Sequence, residues 1–299
     1  MKQLSKRHHY IPQYYLKGFT NENGLFYLYE VLRNRMDKNL HNTDSLFFEK
    51  NRNIIRYKGQ LSDIIEDYYT DFDTIFANLF REIKKGVSED ELFNSKIMVC
   101  IKQFLALFLC RLPVIDEQID FILDNLDFSK TRNIITIDGK NVLTLENSKK
   151  LLSEDKNFRY FFRCFILPIL IFDLRAEDEG RWYLLQGKDM LQHHVCCDVP
   201  VLIKNLDLAN LLSFNTDFIF PLTKDKLLIH SMKKDICMEN LASCFYIEVD
   251  LLLLWKAQKY VVCSNEEYLK HLIELKTESE KEISFDKFNE HIFDILKKA

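Results

Sequence analysis

The sequence predicts an α+β protein: a predominantly helical N-terminal two-thirds, then a small, mostly antiparallel sheet and terminal helices. Only 7 Gly and 5 Pro occur in 299 residues, which favours long helices over a many-stranded sandwich. Apolar residues make up 47% of the chain, enough for a sizeable core. We expect residues 1–299 to form one domain, or to divide into a mainly helical part, 1–176, and a part with the sheet and terminal helices, 177–299.

The first long helices are predicted by periodicity and by capping residues. Apolar residues recur at helical spacing across residues 61–85. Ser88 and Glu91 have the spacing of a capping box and open a second helix, which is apolar nearly all round. That helix should run to about Leu112, because Pro113 ends or kinks it.

The later helices are less regular. Residues 151–174 form another apolar stretch, which we expect to break at Pro168. Terminal helices are predicted from about Leu251 and from Phe285, the last of them clearly amphipathic. The charged segment 175–180 marks a loop between the two parts of the chain.

Strands are predicted from short runs of aromatic and β-branched residues. One follows the polar turn at Asn21 and covers residues 24–31, whereas residues 32–60 look polar and irregular. A short hairpin is expected around the turn Asp138-Gly139. The remaining predicted strands cover residues 182–185, 193–197, 218–220, 227–230 and 245–249.

Composition narrows the class of protein. The chain has 41 Lys and Arg residues and 45 Asp and Glu residues, so its net charge predicts no strong electrostatic attraction to nucleic acid or acidic membranes. This balance still allows a local basic patch. The eight cysteines lack C-x-x-C spacing and read as reduced core residues. No secretory signal opens the chain, and the apolar run 97–110 is shorter than the roughly 20 residues that a bilayer requires. We therefore expect a cytoplasmic protein with no membrane partner; oligomeric state is not predicted.

The N-terminal segment 7–19 holds the best candidate site. His8 and His9 precede Pro12, which fixes its own backbone angle and biases Ile11 toward an extended conformation. An imidazole pair on a rigid turn suits proton transfer or metal binding near neutral pH. The alternative is that both histidines cap backbone groups or attach a loop to the core.

The same residues carry a family resemblance. The chain reads H-H-Y-I-P-Q-x-Y-L-x-x-F from His8 to Phe19 and resembles the opening of a large, mainly bacterial family known as domain of unknown function 4238. Four later pieces resemble that family in the same order and extend the resemblance over nearly the whole chain. They are Ile65-Glu66 with Asp73, Arg111-Leu112-Pro113, Cys197-Asp198-Val199-Pro200-Val201 and Phe220-Pro221-Leu222.

The chain departs from the family pattern at one turn. The family usually has threonine, serine, aspartate, asparagine and proline there, whereas this chain has Cys196, Cys197 and Val199 at three of the positions. The paired histidines before a proline are also similar to the first piece of the His-Asn-His nuclease motif, but the downstream residues lack its spacing. By analogy with bacterial accessory families of this profile, the resemblance implies a role in phage defence or as a toxin.

Four further residues are candidates for chemistry. Asp198 follows an extended segment and precedes Pro200, so its carboxylate would be held rigidly, either at a site or against its own backbone. Glu66 and Asp73 lie seven positions apart, on one helix face, where carboxylates ligate a divalent metal or form a solvated stripe. Arg111 ends an apolar helix and needs a partner, which we expect to be a carboxylate such as Glu66 or Asp198, or a phosphate.

Two functions from different classes follow. The first is a metal-dependent hydrolase of nucleic acid or nucleotide phosphodiesters, with His8 and His9 as catalytic groups and Arg111 as phosphate clamp. Its Mg²⁺ or Mn²⁺ would be bound by His9, Glu66 and Asp198. The alternative is a noncatalytic binding or interaction protein with a structural His-Pro segment. An enzyme should bring these side chains into one solvent-reachable cleft, whereas a scaffold should scatter them.

Overall fold

The computed structural model describes residues 4–57, 59–126, 136–137, 141–142, 145–171, 180–186, 193–204, 216–233, 235–237, 241–242 and 244–299. The turn predicted at residues 138–139 and the boundary predicted near residue 176 lie outside these ranges. The protein is α+β, as predicted, and every strand pairing between described residues is antiparallel.

The helices carry most of the described chain. They are α1 (Gln13–Leu16), α2 (Ile64–Gly86), α3 (Glu89–Leu92), α4 (Ser95–Arg111), α5 (Asp116–Asp124), α6 (Leu145–Glu154), α7 (Lys156–Phe161), α8 (Leu167–Ile171), α9 (Cys244–Lys256), α10 (Glu266–Glu282) and α11 (Phe285–Lys298). A π-helical turn, Phe162–Ile166, joins α7 to α8, and single 3-10 turns cover Lys17–Phe19, Val31–Arg33 and Pro113–Ile115.

The strands are short. They are β1 (Arg7–His9), β2 (Tyr27–Glu30), β3 (Arg35–Met36), β4 (Phe48–Lys50), β5 (Ile55–Tyr57), β6 (Gln60–Ser62), β7 (Thr136–Ile137), β8 (Asn141–Val142), β9 (Arg181–Gln186), β10 (Cys196–Cys197), β11 (Leu202–Ile203), β12 (Phe218–Thr223), β13 (Lys226–Ser231) and β14 (Tyr260–Cys263). Two four-stranded sheets have the orders β10-β14-β2-β3 and β11-β12-β13-β9, and β1-β4, β5-β6 and β7-β8 form two-stranded ribbons.

The helical N-terminal part begins later than the sequence predicts. Residues 64–171 are largely helical among those described, but residues 7–62 contain β1 to β6. Residues 32–60, expected to be irregular, supply three complete strands. β3 and β5 pair with their sequence neighbours β2 and β6, whereas β4 pairs with the distant β1. The strand predicted at residues 24–31 is confirmed as β2, and it pairs with β14 near the other end of the chain.

The predicted capping box is confirmed, but it belongs to a different helix from the one predicted. Ser88 and Glu91 form the predicted capping box, but it starts the short helix α3. Asn94 then caps α4, since its side-chain oxygen accepts from the backbone N–H groups of Lys96 and Ile97. Helix α4 ends at Arg111, next to Pro113, as expected.

One predicted helix break and one predicted strand are wrong. The chain stays helical through Pro168, because the π-helical turn before it alters the hydrogen-bond register that the missing proline N–H would otherwise interrupt. Residues 245–249, predicted as a strand, belong to helix α9. A short apolar run has no periodicity that separates a buried helix from a buried strand.

Two buried clusters form the hydrophobic core. The first packs α2 and α4 against an aromatic group in which Tyr15 contacts Phe108 and Phe220, with ring centroids 5.2 and 5.4 Å away. The second packs the two sheets against α9, α10 and α11. The N-terminal His-Pro segment lies on the first cluster.

No helix in the described part of the chain is by itself both long enough and apolar enough to cross a membrane. The pair Ser95–Arg111 and Pro113–Asp124 passes that test together, by length and composition only, and is bent by 76°.

Candidate functional site

Strand β1 turns its two histidines in opposite directions. Successive side chains of a strand point to opposite faces, so His8 is fully buried whereas His9 is half-buried. His8 Nδ1 accepts the backbone N–H of Asn53 at 2.7 Å, and His8 Nε2 donates to the Ser5 carbonyl at 3.0 Å. With both ring nitrogens occupied, His8 fastens the N-terminal strand and is not placed for the catalytic role predicted for it.

The proline positions the residues that follow. Pro12 has φ −62° and ψ 140°, and its carbonyl accepts from the N–H groups of Tyr15 and Leu16 at the start of α1. This turn directs Tyr15 into the aromatic core, where its hydroxyl donates to the Pro221 carbonyl at 2.6 Å. Tyr14 and His9 consequently face the same cavity.

That cavity, which we call the His9 cavity, has a volume of about 180 Å³ and opens to solvent. It brings together four of the candidate residues named from the sequence, on the three elements β1, α2 and α4. Its lining residues are His9, Pro12, Gln13, Tyr14, Glu66, Tyr69, Asp73 and Arg111.

Arg111 forms a buried ion pair, but not with the partner that the sequence predicts. Its two terminal nitrogens donate to the Asp73 carboxylate at 2.7 and 3.2 Å, and its guanidinium carbon lies 3.8 Å from the centre of the Tyr69 ring. Burial alone would lower the pKa of Arg111, but the Asp73 carboxylate raises it above its ordinary value. Arg111 Nε has no hydrogen-bond partner among the described residues. The guanidinium is therefore a fixed cation whose Nε–H group has no partner among the described residues.

Glu66 is held by residues that the sequence did not identify. The Asn53 side-chain amide donates to Glu66 and accepts from the Tyr160 hydroxyl, at 2.7 Å in the second case. Because Asn53 also donates its backbone N–H to His8, the buried histidine positions the carboxylate indirectly. No sequence signal marks Asn53 or Tyr160, which lie 107 positions apart.

His9 is the side chain best placed for proton transfer. Within the described chain, its Nε2 is buried and has no hydrogen-bond partner, and its ring lies 5.6 Å from the Phe48 ring. Burial lowers the pKa of His9 below 6.5, against opposing effects of a backbone hydrogen bond to Asp44 and of the Asp44 and Glu66 carboxylates. The neutral imidazole therefore predominates near pH 7, as a proton acceptor requires.

The tyrosines of the His9 cavity remain protonated. Burial, together with the adjacent Asp73 carboxylate, raises the pKa of Tyr14 well above its ordinary value. Burial likewise raises the pKa of Tyr69. Both phenols are therefore neutral groups at physiological pH, and they line the cavity as apolar rings with hydroxyl donors.

Asp198 does not line the His9 cavity. Its buried carboxylate accepts from the backbone N–H groups of Gln258, Lys259 and Tyr260 at 3.1 to 3.3 Å. Burial raises the pKa of Asp198, and these backbone hydrogen bonds oppose the shift. It borders a separate cavity of about 150 Å³, lined also by Tyr10, Pro113, Val114, Gln258 and Lys259.

The ligand set predicted for a metal is therefore not assembled as expected. Asp198 attaches its turn to the chain before β14, while His9 and Glu66 share the His9 cavity. In the described ranges, no three or more His, Cys, Asp or Glu side chains are grouped closely enough to hold a metal ion. The metal site stays a prediction, now without Asp198 beside the other two residues.

A second histidine lies beside a carboxylate in the C-terminal half. His194 Nδ1 contacts Asp250 at 3.0 Å, and the same carboxylate accepts from the Tyr268 hydroxyl at 2.6 Å and from the Val195 backbone N–H at 3.2 Å. The side chains of His194 and Asp250 are 0% and 1% exposed. We call this group the His194 cluster.

The fold and the cavity define an α+β protein with a polar, solvent-open cavity built on an N-terminal His-Pro segment. The chain belongs to the family described as Protein of unknown function (DUF4238), whose model matches residues 7–267. This finding confirms the resemblance carried by the histidine motif. No curated protein and no solved structure matches the chain.

Proposed function

We propose that the protein hydrolyses phosphodiester bonds of nucleic acid or a nucleotide in the His9 cavity. The observation that carries the proposal is the convergence on one solvent-open cavity of an imidazole whose Nε2 has no partner among the described residues, a positioned carboxylate and a buried guanidinium. A catalytic base, a second polar group and a phosphate-binding cation are what this reaction requires.

Each residue has a separate role in this proposal. His9 Nε2 accepts a proton from the attacking water, whose oxygen then bonds to phosphorus while the bond from phosphorus to the leaving oxygen breaks. The leaving oxygen takes a proton from solvent water. Arg111 stabilises the negative charge that develops on the phosphoryl oxygens, and its pairing with Asp73 keeps it in place. Glu66, held by Asn53, orients the water or binds a cation.

The predicted Mg²⁺ or Mn²⁺ is compatible with this arrangement but carries no step in it. Mg²⁺ commonly uses one or two protein carboxylates and completes its coordination with water and substrate phosphate. Glu66 is the carboxylate of the His9 cavity that is not paired with Arg111. The proposal therefore allows one protein carboxylate on a metal, and proton transfer by His9 in either case.

Steady-state hydrolysis of bis(p-nitrophenyl) phosphate and of a labelled oligonucleotide tests the proposal. We expect His9→Gln to lower kcat/KM by about 10²- to 10⁴-fold. His271→Gln, at an exposed position on α10, is the matched control and should retain the wild-type rate. Assays in chelator, and after addition of Mn²⁺ or Mg²⁺, separate metal-dependent from metal-independent turnover.

The noncatalytic alternative makes the opposite prediction. If the wild type hydrolyses neither substrate with or without metal, the His9 cavity is a binding site, and His8 and Arg111 serve the core. A role in phage defence or as a toxin stays a prediction, and loss of growth inhibition or of protection in cells carrying His9→Gln would support it.

A further inference from the structure

The ribbon that carries His9 has a second set of side chains on the same face. In β1-β4 the partners are Arg7 with Lys50 and His9 with Phe48. Directly opposed residues of an antiparallel pair point to the same side, and residues two apart on one strand share a face. Arg7, His9, Phe48 and Lys50 therefore lie together, on the face opposite His8.

Contacts confirm this grouping. The Arg7 guanidinium carbon lies 5.0 Å from the centre of the Phe48 ring, and the His9 ring lies 5.6 Å from the same ring. Phe48 is half-buried and Lys50 is exposed. A half-exposed aromatic ring thus lies between a cation and the proposed catalytic base.

The acidic residues nearby do not neutralise this face. Arg7 pairs with Asp44 at 3.4 Å, but the two side chains are 55% and 61% exposed, so the interaction is weak and screened. Glu49 lies between Phe48 and Lys50 but points to the other face of the ribbon, where it pairs with Arg52 at 2.9 Å. Arg7 and Lys50 therefore keep donors available, although the chain as a whole carries a net charge of −4.

We infer that Arg7, Phe48 and Lys50 form a binding platform for single-stranded nucleic acid that leads into the His9 cavity. Phosphates contact Arg7 and Lys50, and one base stacks on the Phe48 ring, a combination of cationic groups and aromatic rings that binds unpaired strands with little sequence preference. A duplex is not expected to bind to this platform, because stacking on Phe48 requires an unpaired base.

This inference rests on the proposed function and names its substrate class. The inference requires the platform to bind the strand, whereas the proposed function requires the His9 cavity to cleave the bond. Binding and cleavage can therefore be measured separately on the full-length protein.

The test is fluorescence anisotropy with a short dye-labelled oligothymidylate that has phosphorothioate linkages, in chelator, over a series of salt concentrations. Phe48→Leu should weaken binding about 5- to 100-fold, because one stacking contact is lost. Lys50→Gln should reduce the slope of log K against log salt by about 0.7, the value for one phosphate contact on a single strand. Lys281→Gln, exposed on α10, should change neither quantity.

The outcomes separate the two proposals. Lys50 is exposed, so Lys50→Gln keeps the test valid even if Phe48→Leu fails to fold. An unchanged affinity and salt slope in Lys50→Gln, no binding by the wild type, or binding of a duplex as tight as the single strand would overturn the platform. Hydrolysis of bis(p-nitrophenyl) phosphate by the wild type, together with unchanged oligonucleotide binding in Phe48→Leu and Lys50→Gln, would overturn the platform alone. Platform-dependent binding without any hydrolysis would instead overturn the proposed function.

Discussion

His9 and His194 each lie near a carboxylate, and each has an Nε2 without a hydrogen-bond partner among the described residues. They differ in access to solvent. His9 lines an open cavity with Glu66 and Arg111, whereas His194 and its partner Asp250 are almost completely buried.

The hydrogen-bond partners in the His194 cluster and in the His9 cavity show what burial changes. Asp250 accepts from a ring nitrogen, a hydroxyl and a backbone N–H, so its charge is fully compensated and no face is left for a ligand. His9 Nε2 and Arg111 Nε, in contrast, are buried atoms without a hydrogen-bond partner among the described residues, and both residues line an open cavity. Similar residue types therefore serve stability at one place and are available for chemistry at the other.

The largest expected effect tests the buried side of this comparison. Asp250→Ala should lower the free energy of unfolding by about 3–5 kcal/mol, because it leaves His194, Val195 and Tyr268 without their common acceptor in a buried site. Chemical denaturation measures the loss. Asp250→Asn keeps one acceptor oxygen and should lose less, and a cost below about 1 kcal/mol for Asp250→Ala would contradict the structural role.

The next effect concerns catalysis in the open site. Arg111→Lys should lower kcat/KM by about 100-fold, because an ammonium cannot bind Asp73 through two parallel hydrogen bonds and still face the substrate. Steady-state kinetics on bis(p-nitrophenyl) phosphate measure this change. Thermal unfolding of the same variant is the control, and a wild-type rate in a folded Arg111→Lys protein would rule out the phosphate role.

The pH dependence of the catalytic rate and of stability should report on the protonation of His9. Its pKa is lowered in the folded protein by burial, so catalysis should fall on the acidic side with a midpoint below 6.5. The unfolded chain binds more protons than the folded one in this range, so the contribution of His9 to stability is present above pH 6.5 and lost as the pH falls.

His193 also has a pKa lowered by burial and contributes with the same sign, so only the difference between wild type and His9→Gln isolates His9. Stability curves and pH–rate profiles of the two proteins provide that difference. A midpoint at or above pH 7 in the wild type would contradict the proposed protonation state of His9.

The smallest effect is expected at the rim of the open site. Asp44→Asn removes an exposed ion pair with Arg7 and should change the free energy of unfolding by less than about 0.5 kcal/mol. Because Asp44 opposes the lowering of the His9 pKa, the acidic limb of the pH–rate profile should move to lower pH. A shift to higher pH would show that Asp44 does not act on His9 through its charge.

Parts of the candidate site were predictable because their signals are local. Paired histidines before Pro12 predicted a rigid segment, and Arg111 at the end of an apolar helix predicted a buried partner. The partner itself, Asp73, is 38 positions away and was named only as a helix-face carboxylate. Asp198 was grouped with the site on its residue type, yet it accepts from the backbone more than 55 positions further along the chain.

The sequence by itself determined the helices α2, α4 and α11, the capping box of Ser88 and Glu91, and the rigid His-Pro segment, because spacing, capping and proline geometry act over only a few residues. The tertiary structure alone decided that residues 245–249 are helical, that β2 pairs with β14, and which histidine faces the cavity. A buried polar group takes whichever partner packing brings within about 3 Å. That choice depends on contacts between residues far apart in the chain, which no local pattern records.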